Sequence, residues 1–152
     1  MAMRPLLPPY LPPEARFVDG WGKPRKVLER DMRKDVIALL VRCGFGVLDM
    51  EPGFVASGKR VVPGKAVPRT PGAPDLWVYN RHPDRDGPEI WAIQVKGWGT
   101  GHTETNQQER VGRELAANGV RYTCGTLVEV EQVLVDMGRA TRQDQKDRRR
   151  AN

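Results

Sequence analysis

Two short stretches of this sequence carry residue types that could act together on a substrate. Asp75 follows Pro74 at the start of one run of β-forming residues, and Gln94-Val95-Lys96 ends the next run. Because side chains alternate across a strand, Gln94 and Lys96 face one side and Val95 faces the other. Turn-forming residues at 80–88 connect the two runs and predict an antiparallel hairpin. The hairpin would bring Asp75, Gln94 and Lys96 to one rim of a sheet.

A carboxylate, an amide and an amine at one rim suit phosphate chemistry. Carboxylate and amide oxygens are ligands for Mg²⁺ (or Mn²⁺), which keeps several waters and is commonly shared with substrate phosphates. Such an ion activates a bound water, and a lysine adds a compact positive charge. Alternatively, Asp75 merely ends a loop, and Gln94 and Lys96 lie on the solvent side of an ordinary hairpin. Spacing alone leaves both interpretations open.

The rest of the chain predicts a mixed β-sheet flanked by helices. A strand that follows a crossover helix implies parallel pairing next to the antiparallel hairpin. A capping-box sequence marks one helix start and glycines mark the helix ends. In chain order the predicted elements are a helix (Val27–Cys43), a strand (Phe45–Met50), the hairpin (Leu76–Tyr79 and Glu89–Val95), a helix from Thr105 to Asn118, a strand (Val120–Cys124) and a helix (Val128–Met137).

Both ends of the chain differ in composition from this single α/β domain, which we expect over residues 25–138. Residues 1–24 hold five prolines within the first thirteen positions, which predicts an extended arm or a disordered tail. Residues 139–152 are charged and nearly free of apolar side chains, so they predict a basic tail or a frayed helix. Residues 51–73, rich in Gly, Pro and Lys, predict a long loop inside the domain.

The composition suits a protein with a polyanionic partner. The 152 residues include 25 Lys and Arg against 19 Asp and Glu, for a formal net charge of +6, and the pI is about 9.7. This balance favours nucleic acid as a partner. The longest apolar run, Val36–Val41, is too short to span a bilayer, and no signal-peptide pattern is present. We therefore expect a cytoplasmic protein without a membrane partner.

The residues of the rim also resemble the motifs of a nuclease group. Gly72-Ala73-Pro74-Asp75-Leu76 matches a GxPD-L motif, and Ala92-Ile93-Gln94-Val95-Lys96 matches the strand that carries (D/E)-x-K. Gln108, Leu115 and Gly119 match the helix that follows. Because these motifs occur in this order, the chain resembles the PD-(D/E)XK nuclease superfamily. Within that superfamily it resembles the stand-alone VRR-NUC (virus-type replication-repair nuclease) proteins. The resemblance implies a restriction-endonuclease-like α/β core with the element order αβββαβ.

The resemblance also implies a role for individual residues. Asp75 and Gln94 would bind the metal, Lys96 would be the catalytic lysine, and Gln108 would line the site from its helix. Gln94 stands where the family usually has a carboxylate. A neutral ligand can still coordinate through its oxygen, but it brings less charge to hold the metal.

The family's first helix contributes a further acidic residue to the metal site. Glu29 and Asp31 both lie in the corresponding region, and the spacing to Gly44 does not choose between them. Their alternative role is that of solvated acidic residues at a helix start, where the helix dipole favours negative charge.

Other residues are candidates for contacting DNA. Trp98, in the glycine-rich stretch 97–101, could stack on a base or could instead pack as an anchor of its loop. A basic loop leads into Asp75 and suggests a flap that holds phosphates, with a solvated loop as the alternative. Its basic residues are Lys59, Arg60, Lys65 and Arg69.

Three functions are therefore expected, in order of preference. The first is a metal-dependent DNA endonuclease acting on branched or structured DNA, such as Holliday junctions or flaps, in replication, recombination or repair in a bacterial or phage-infected cell. Two-fold symmetric substrates would favour a homodimer. The second is a catalytically weak or inactive nuclease-fold module that binds DNA in a phage or bacterial DNA-processing assembly. The third is a structural or adaptor protein that uses its Pro-rich arm and basic tail.

Overall fold

The computed structural model describes residues 4–50 and 70–144, and it contains the seven predicted elements in the predicted order together with four short ones that were not predicted. In chain order they are β1 (Leu6–Leu7), α1 (Pro13–Arg16), α2 (Glu29–Arg42), β2 (Phe45–Asp49), β3 (Leu76–Asn80), α3 (Pro83–Asp86), β4 (Ile90–Val95), α4 (Asn106–Ala117), β5 (Arg121–Gly125), α5 (Leu127–Asp136) and β6 (Thr141–Arg142). None of these helices is long and apolar enough to cross a membrane.

The main sheet has four strands in the order β2-β3-β4-β5. The two pairings that involve β3 are antiparallel, and β4 pairs with β5 in parallel. The predicted mixed sheet flanked by helices is therefore confirmed. The hairpin connection also contains the four-residue helix α3, which begins at a proline, the residue best suited to a first helical position. The turn-forming composition at 80–88 concealed this helix from the sequence prediction.

The hydrophobic core lies between one face of this sheet and the helices α2 and α5. Met32, Val36 and Leu40 recur at helical spacing on α2 and are fully buried. From β4, Trp91 and Ile93 point into the same core and are also fully buried. Removing each large side chain of this kind from water stabilises the fold by about 1.5–3 kcal/mol. Because odd-numbered residues of β4 fill the core, the even-numbered Gln94 must face the opposite side of the sheet.

Helix α4 packs on that opposite face, at its β5 end. Its start is fixed by the predicted capping box, in which Thr105 and Gln108 exchange hydrogen bonds. At its middle, Gly112 lies so close to the Tyr122 ring that a Cβ atom would come within 2.4 Å of it. Gly112 therefore allows α4 to pack closely on β5, the strand next to the one that carries Gln94.

The ends of the described chain form a second, two-stranded sheet, and this differs from the predicted arm and tail. β1 pairs in parallel with β6, and Leu7 is 3% exposed within the core cluster. Ala140 is buried, and Arg139 lies over the Phe45 ring at 4.2 Å. The proline composition did favour an extended chain, but two-residue strands gain stability only from a distant partner that local sequence cannot reveal.

An ion-pair cluster fastens these ends to α5. Glu131 is only 2% exposed, and Arg16 donates to both of its carboxylate oxygens at 2.9 Å. Arg142 approaches the same carboxylate at 3.9 Å. A buried carboxylate needs such pairing, because its desolvation would otherwise oppose folding.

A close backbone contact ties the start of α2 to the chain that leaves β4. Val27 and Trp98 exchange two backbone hydrogen bonds of 2.9 and 2.8 Å. Between Lys96 and Trp98, a Cβ atom on Gly97 would lie 2.5 Å from the Val27 carbonyl oxygen and 2.8 Å from the Glu29 nitrogen. Only glycine therefore permits this approach, which holds Glu29 beside the end of β4.

Replacing Gly97 by alanine should destabilise the protein by about 1–3 kcal/mol, because backbone atoms must move apart to admit the methyl group. Equilibrium unfolding in urea measures the change. Gly20→Ala is the matched control, since a Cβ atom there meets nothing within 4 Å. Equal stability of the two variants would contradict the proposed contact.

Candidate functional site

Asp75 and Gln94 meet at the rim of the main sheet. The Asp75 backbone N–H donates to the Ile93 carbonyl at 3.1 Å, which sets the register between β3 and β4. In this register the Asp75 Oδ2 atom accepts hydrogen bonds from Gln94 Nε2 at 2.7 Å and from the Val95 N–H at 3.1 Å. The carboxylate is therefore held by two donors from the end of β4.

This contact fixes the orientation of the Gln94 amide. An ionised carboxylate only accepts hydrogen bonds, so the amide nitrogen must face Asp75 and the amide oxygen must point away. Gln94 is 3% exposed, and within the described residues its Oε1 atom is buried without a hydrogen-bond partner. A buried, unpaired oxygen costs stability and calls for a donor or a cation.

The rim suits a hard cation through oxygen atoms. The Asp75 carboxylate and the unpaired Gln94 oxygen are both ligands of the type that Mg²⁺ and Mn²⁺ prefer. In the two described ranges no group of three or more His, Cys, Asp or Glu residues could hold a metal ion. Mg²⁺ commonly keeps several waters and shares its remaining positions with substrate phosphates.

A buried arginine links Asp75 to the first helix of the core. Arg33 on α2 is 5% exposed. Its Nη2 atom lies 3.4 Å from Glu29 Oε1 and 4.0 Å from Asp75 Oδ1. Of the two acidic candidates on α2, Glu29 thus shares an arginine with Asp75, whereas Asp31 is exposed. The structure places Glu29 toward the rim.

Burial raises the pKa of the Asp75 carboxyl above its ordinary value of 3.8. The negative charge of Glu29 raises this pKa further. The Arg33 charge and the two hydrogen bonds from Val95 and Gln94 act in the opposite direction without cancelling the rise. Burial and the Glu29 charge thus disfavour the ionised form of Asp75, and a cation bound beside it would favour that form.

Lys96 lies just beyond β4, beside a cluster on β5. Its backbone N–H donates to the Gly125 carbonyl at 2.8 Å. Burial raises the pKa of the Cys124 thiol to about 12, and the negative charge of Glu104 and a hydrogen bond to Glu104 add to this rise. The positive charge of Lys96 opposes it. Lys96 and Glu104 therefore both act on Cys124, the register partner of Gln94.

A cavity of about 340 Å³ opens next to this cluster, between α4 and β5. Tyr122 lines it, and burial raises the pKa of its hydroxyl, with Cys124 and Glu104 adding to the rise. The remaining lining residues are Glu104, Glu109, Gly112, Arg113, Ala116 and Cys124. The cavity lies on the face of the sheet that carries Gln94, because Cys124 is the register partner of Gln94.

The structure uses Gln108 to anchor the start of α4. Its side-chain Oε1 accepts from the Thr105 N–H at 3.0 Å, and its carbonyl accepts from the Tyr122 hydroxyl at 3.3 Å. Gly72, in the segment before Asp75, packs on the same helix start, where a Cβ atom would lie 2.6 Å from Gln107. Gln108 thus anchors the start of α4 against β5 and against the segment before Asp75, with its amide oxygen engaged in capping.

Of the candidate DNA contacts, only Trp98 lies within the described residues. Trp98 is half-buried and packs on Phe17 with ring centroids 6.1 Å apart, as the loop-anchor alternative predicted. The four basic residues of the predicted flap lie outside the described residues, as does most of the predicted loop: Lys59, Arg60, Lys65 and Arg69.

The sequence analysis missed Arg33, although the sequence contains its signal. Arg33 lies four residues after Glu29 and three before Val36, so helical spacing places all three on the buried face of α2. The same spacing places Asp31 with Asp35 and Ala38, which are exposed. A helical projection would therefore have selected Glu29 over Asp31.

These features define a mixed α/β domain with a carboxylate, an amide and a lysine at one rim of its sheet. The chain is similar to a solved structure described as "VRR_NUC domain", with 19% sequence identity and a TM-score of 0.45. The similarity covers 71% of this chain and 94% of that chain. No family model matches the sequence, and no curated protein matches it.

Replacing Asp75 by asparagine should stabilise the folded protein at neutral pH. A raised pKa means that the folded state binds the Asp75 proton more tightly than the unfolded chain does. That stabilisation is complete below the unfolded value near 3.8 and is lost as pH rises through the folded pKa. The Asn side chain imitates the protonated form, so the gain should appear above the folded pKa and vanish in acid.

Urea unfolding at several pH values checks this expectation. Asp35→Asn, an exposed change on α2, is the control and should have little effect. A lower stability of Asp75→Asn than of the native protein at pH 7 would show instead that the Arg33 ion pair outweighs burial.

Proposed function

We propose that this protein is a metal-dependent nuclease that hydrolyses phosphodiester bonds in DNA. One observation carries the proposal: Asp75 is fixed against Gln94, whose buried oxygen has no hydrogen-bond partner in the described chain. Lys96 follows two residues later, and the same alternation continued past the end of β4 would put its side chain on the face that carries Gln94. The resemblance of these stretches to PD-(D/E)XK motifs supports the same chemistry, as does the net charge of +6.

Each residue of the rim has a defined task in this mechanism. Asp75 would hold Mg²⁺ or Mn²⁺ together with the Gln94 oxygen, for which the amide would have to turn and give up its Nε2 hydrogen bond to Asp75. Glu29, which shares Arg33 with Asp75, would add negative charge nearby. A bound ion supplies a water of lowered pKa and neutralises charge on the phosphate. Lys96 would stabilise the negative charge that develops on the phosphate oxygens in the transition state. Arg33 would keep the two carboxylates together before any ion binds.

The proposal includes the kind of DNA that is cleaved. Branched or structured DNA in replication, recombination or repair is the expected target, and two-fold symmetric junctions would suit a homodimer. Gln108 would act by holding α4 beside the rim. The basic residues 59–69 precede the rim directly in sequence and would add phosphate contacts.

Cleavage of labelled four-way junctions, flaps and linear duplexes with Mg²⁺ or Mn²⁺ tests the proposed activity. Asp75→Ala and Lys96→Ala should each lower the cleavage rate at least about a hundredfold, because each removes charge that acts on the transition state. Asp31→Ala is the matched acidic control on α2 and should retain activity. Absence of cleavage with both metals, or cleavage unchanged in both rim variants, would sink the proposal.

A second function, a DNA-binding module without catalysis, is favoured by the Asp75 to Gln94 hydrogen bond itself. Gln94 Nε2 donates to Asp75 Oδ2 at 2.7 Å, as a purely structural pair would. A nuclease fold retained only for binding would keep its charge and shape while it lost the second carboxylate. The two functions differ in what a restored carboxylate at position 94 would do.

The variant Gln94→Glu separates these functions. Without metal it should lower the Tm by roughly 3–10 °C, because two carboxylates replace a buried hydrogen bond at a cost of about 1–3 kcal/mol. Mn²⁺ should then raise the Tm of the variant more than that of the native protein, by linkage to binding. Cleavage that appears only in the variant would assign the native protein to the binding module.

A further inference from the structure

The turn at residues 17–26 presents an aromatic side chain to solvent. Trp21 at its tip is 91% exposed, the highest exposure of any large hydrophobic residue in the described chain. Of the other three tryptophans, Trp91 is fully buried, Trp77 is half-buried on β3, and Trp98 packs on Phe17. An indole held in water contributes nothing to the core and is accessible to a ligand.

Hydrogen bonds fix the backbone that carries Trp21. Asp19 Oδ1 accepts from the Trp21 N–H at 2.8 Å and from the Lys23 N–H at 3.0 Å. The Asp19 N–H donates to the Lys23 carbonyl at 2.8 Å, and Val18 forms an antiparallel bridge with Pro24. The turn is thus a braced hairpin tip. An aromatic side chain on such a support loses little conformational entropy when it contacts a ligand.

The same turn is attached to the candidate active rim. At the base of the turn the Phe17 ring packs on Trp98. The Phe17 backbone carbonyl accepts a hydrogen bond from the Arg25 N–H at 2.9 Å. The chain then pairs with Trp98 through Val27, and Trp98 lies two residues after Lys96. Trp21 is six residues before Val27, so it lies within about 20 Å of that bridge. The indole is therefore carried by the segment that borders the rim.

Exposed positive charge follows Trp21 along the chain. Lys23, Arg25, Lys26 and Arg30 are all exposed, and Glu29 is the single acidic residue among them. Lys26 is placed next to the glycine loop after Lys96, since a Cβ atom on Gly99 would lie 3.6 Å from the Lys26 Cα atom. An aromatic platform beside a track of positive charge is the combination that binds single-stranded nucleic acid.

We propose that residues 17–26, the Trp21 turn, bind unpaired DNA next to the active rim. Trp21 stacks on an unpaired base, and Lys23, Arg25 and Lys26 hold the adjoining phosphates. The inference rests on the proposed function for its ligand class, and it narrows the substrate to DNA with unpaired bases beside the scissile phosphate. Stacking tolerates any base, so this recognition depends on strand structure and not on sequence.

Binding without cleavage tests the turn separately from the chemistry. The full protein is titrated in EDTA against labelled oligothymidine, a blunt duplex of the same length, and a splayed-arm duplex, with fluorescence anisotropy as the readout. Trp21→Ala should weaken binding of the single strand and the splayed duplex by about tenfold, and binding of the blunt duplex much less. Trp21→Phe should retain most of the affinity, because a phenyl ring still stacks.

Tyr10→Ala is the matched aromatic control, since Tyr10 is 49% exposed on a different segment of the chain. It should leave all three affinities unchanged. Circular dichroism of each variant establishes that the fold is intact, which is expected because Trp21 packs against nothing that the core requires.

The charge track is tested by a pair of double variants. Lys23→Gln with Lys26→Gln should weaken binding of every DNA and reduce the slope of log affinity against log salt by about 1.4–1.8, on the basis of roughly 0.7–0.9 for each lost phosphate contact. Lys34→Gln with Arg42→Gln removes the same charge from exposed positions on α2, outside the turn, and should preserve the slope.

The outcomes separate the two proposals. DNA binding that depends on Trp21, without cleavage in Mg²⁺ or Mn²⁺, would support the turn and reject the nuclease. Cleavage with unchanged binding by Trp21→Ala, or equal losses on blunt and single-stranded DNA, would overturn the turn's role. Trp21-dependent binding to phosphatidylserine vesicles, with no binding to any DNA, would overturn it as well and assign the turn to a membrane surface.

Discussion

The backbone hydrogen bond from Asp75 to Ile93 is the contact on which the candidate site depends. It starts the antiparallel register of β3 and β4, and this register places the Asp75 carboxylate against the last residues of β4. A shift of one residue would turn Gln94 into the apolar core and Ile93 out of it, so burial of the core face protects the register. The energy that maintains the site geometry therefore comes from hydrophobic side chains on the other face of the sheet.

Much of this site follows from local sequence. The hairpin, the capping box at Thr105 and the alternation along β4 are local patterns. The hairpin and the alternation predicted the meeting of Asp75 and Gln94, and the capping box predicted the start of α4. The role of Gly97 also has a local cause, but its effect does not. A glycine after a strand is common, and only the tertiary approach of Val27 explains why no side chain fits there.

What the sequence concealed arises from distant pairing. Arg33 is one charged residue among several on α2, and only a helical projection combined with the position of Asp75 shows that it is buried between two carboxylates. The tryptophans illustrate the same limit. Trp98 and Trp21 both stand in loops rich in glycine, yet Phe17 packs on one of them and leaves the other in water. Composition cannot distinguish two such loops.

The ion-pair cluster that joins the chain ends to α5 has a consequence for the order of folding. Arg16 and Glu131 are 115 residues apart in sequence, and Arg142 and Pro8, which share a hydrogen bond, are 134 apart. Closing loops of this length is entropically costly, so contacts within the local β3–β4 hairpin should form earlier on the folding pathway. Contacts that form after the rate-limiting step affect mainly the rate of unfolding. We therefore expect the ion-pair cluster around Glu131 to slow the unfolding of the protein more than it speeds its folding.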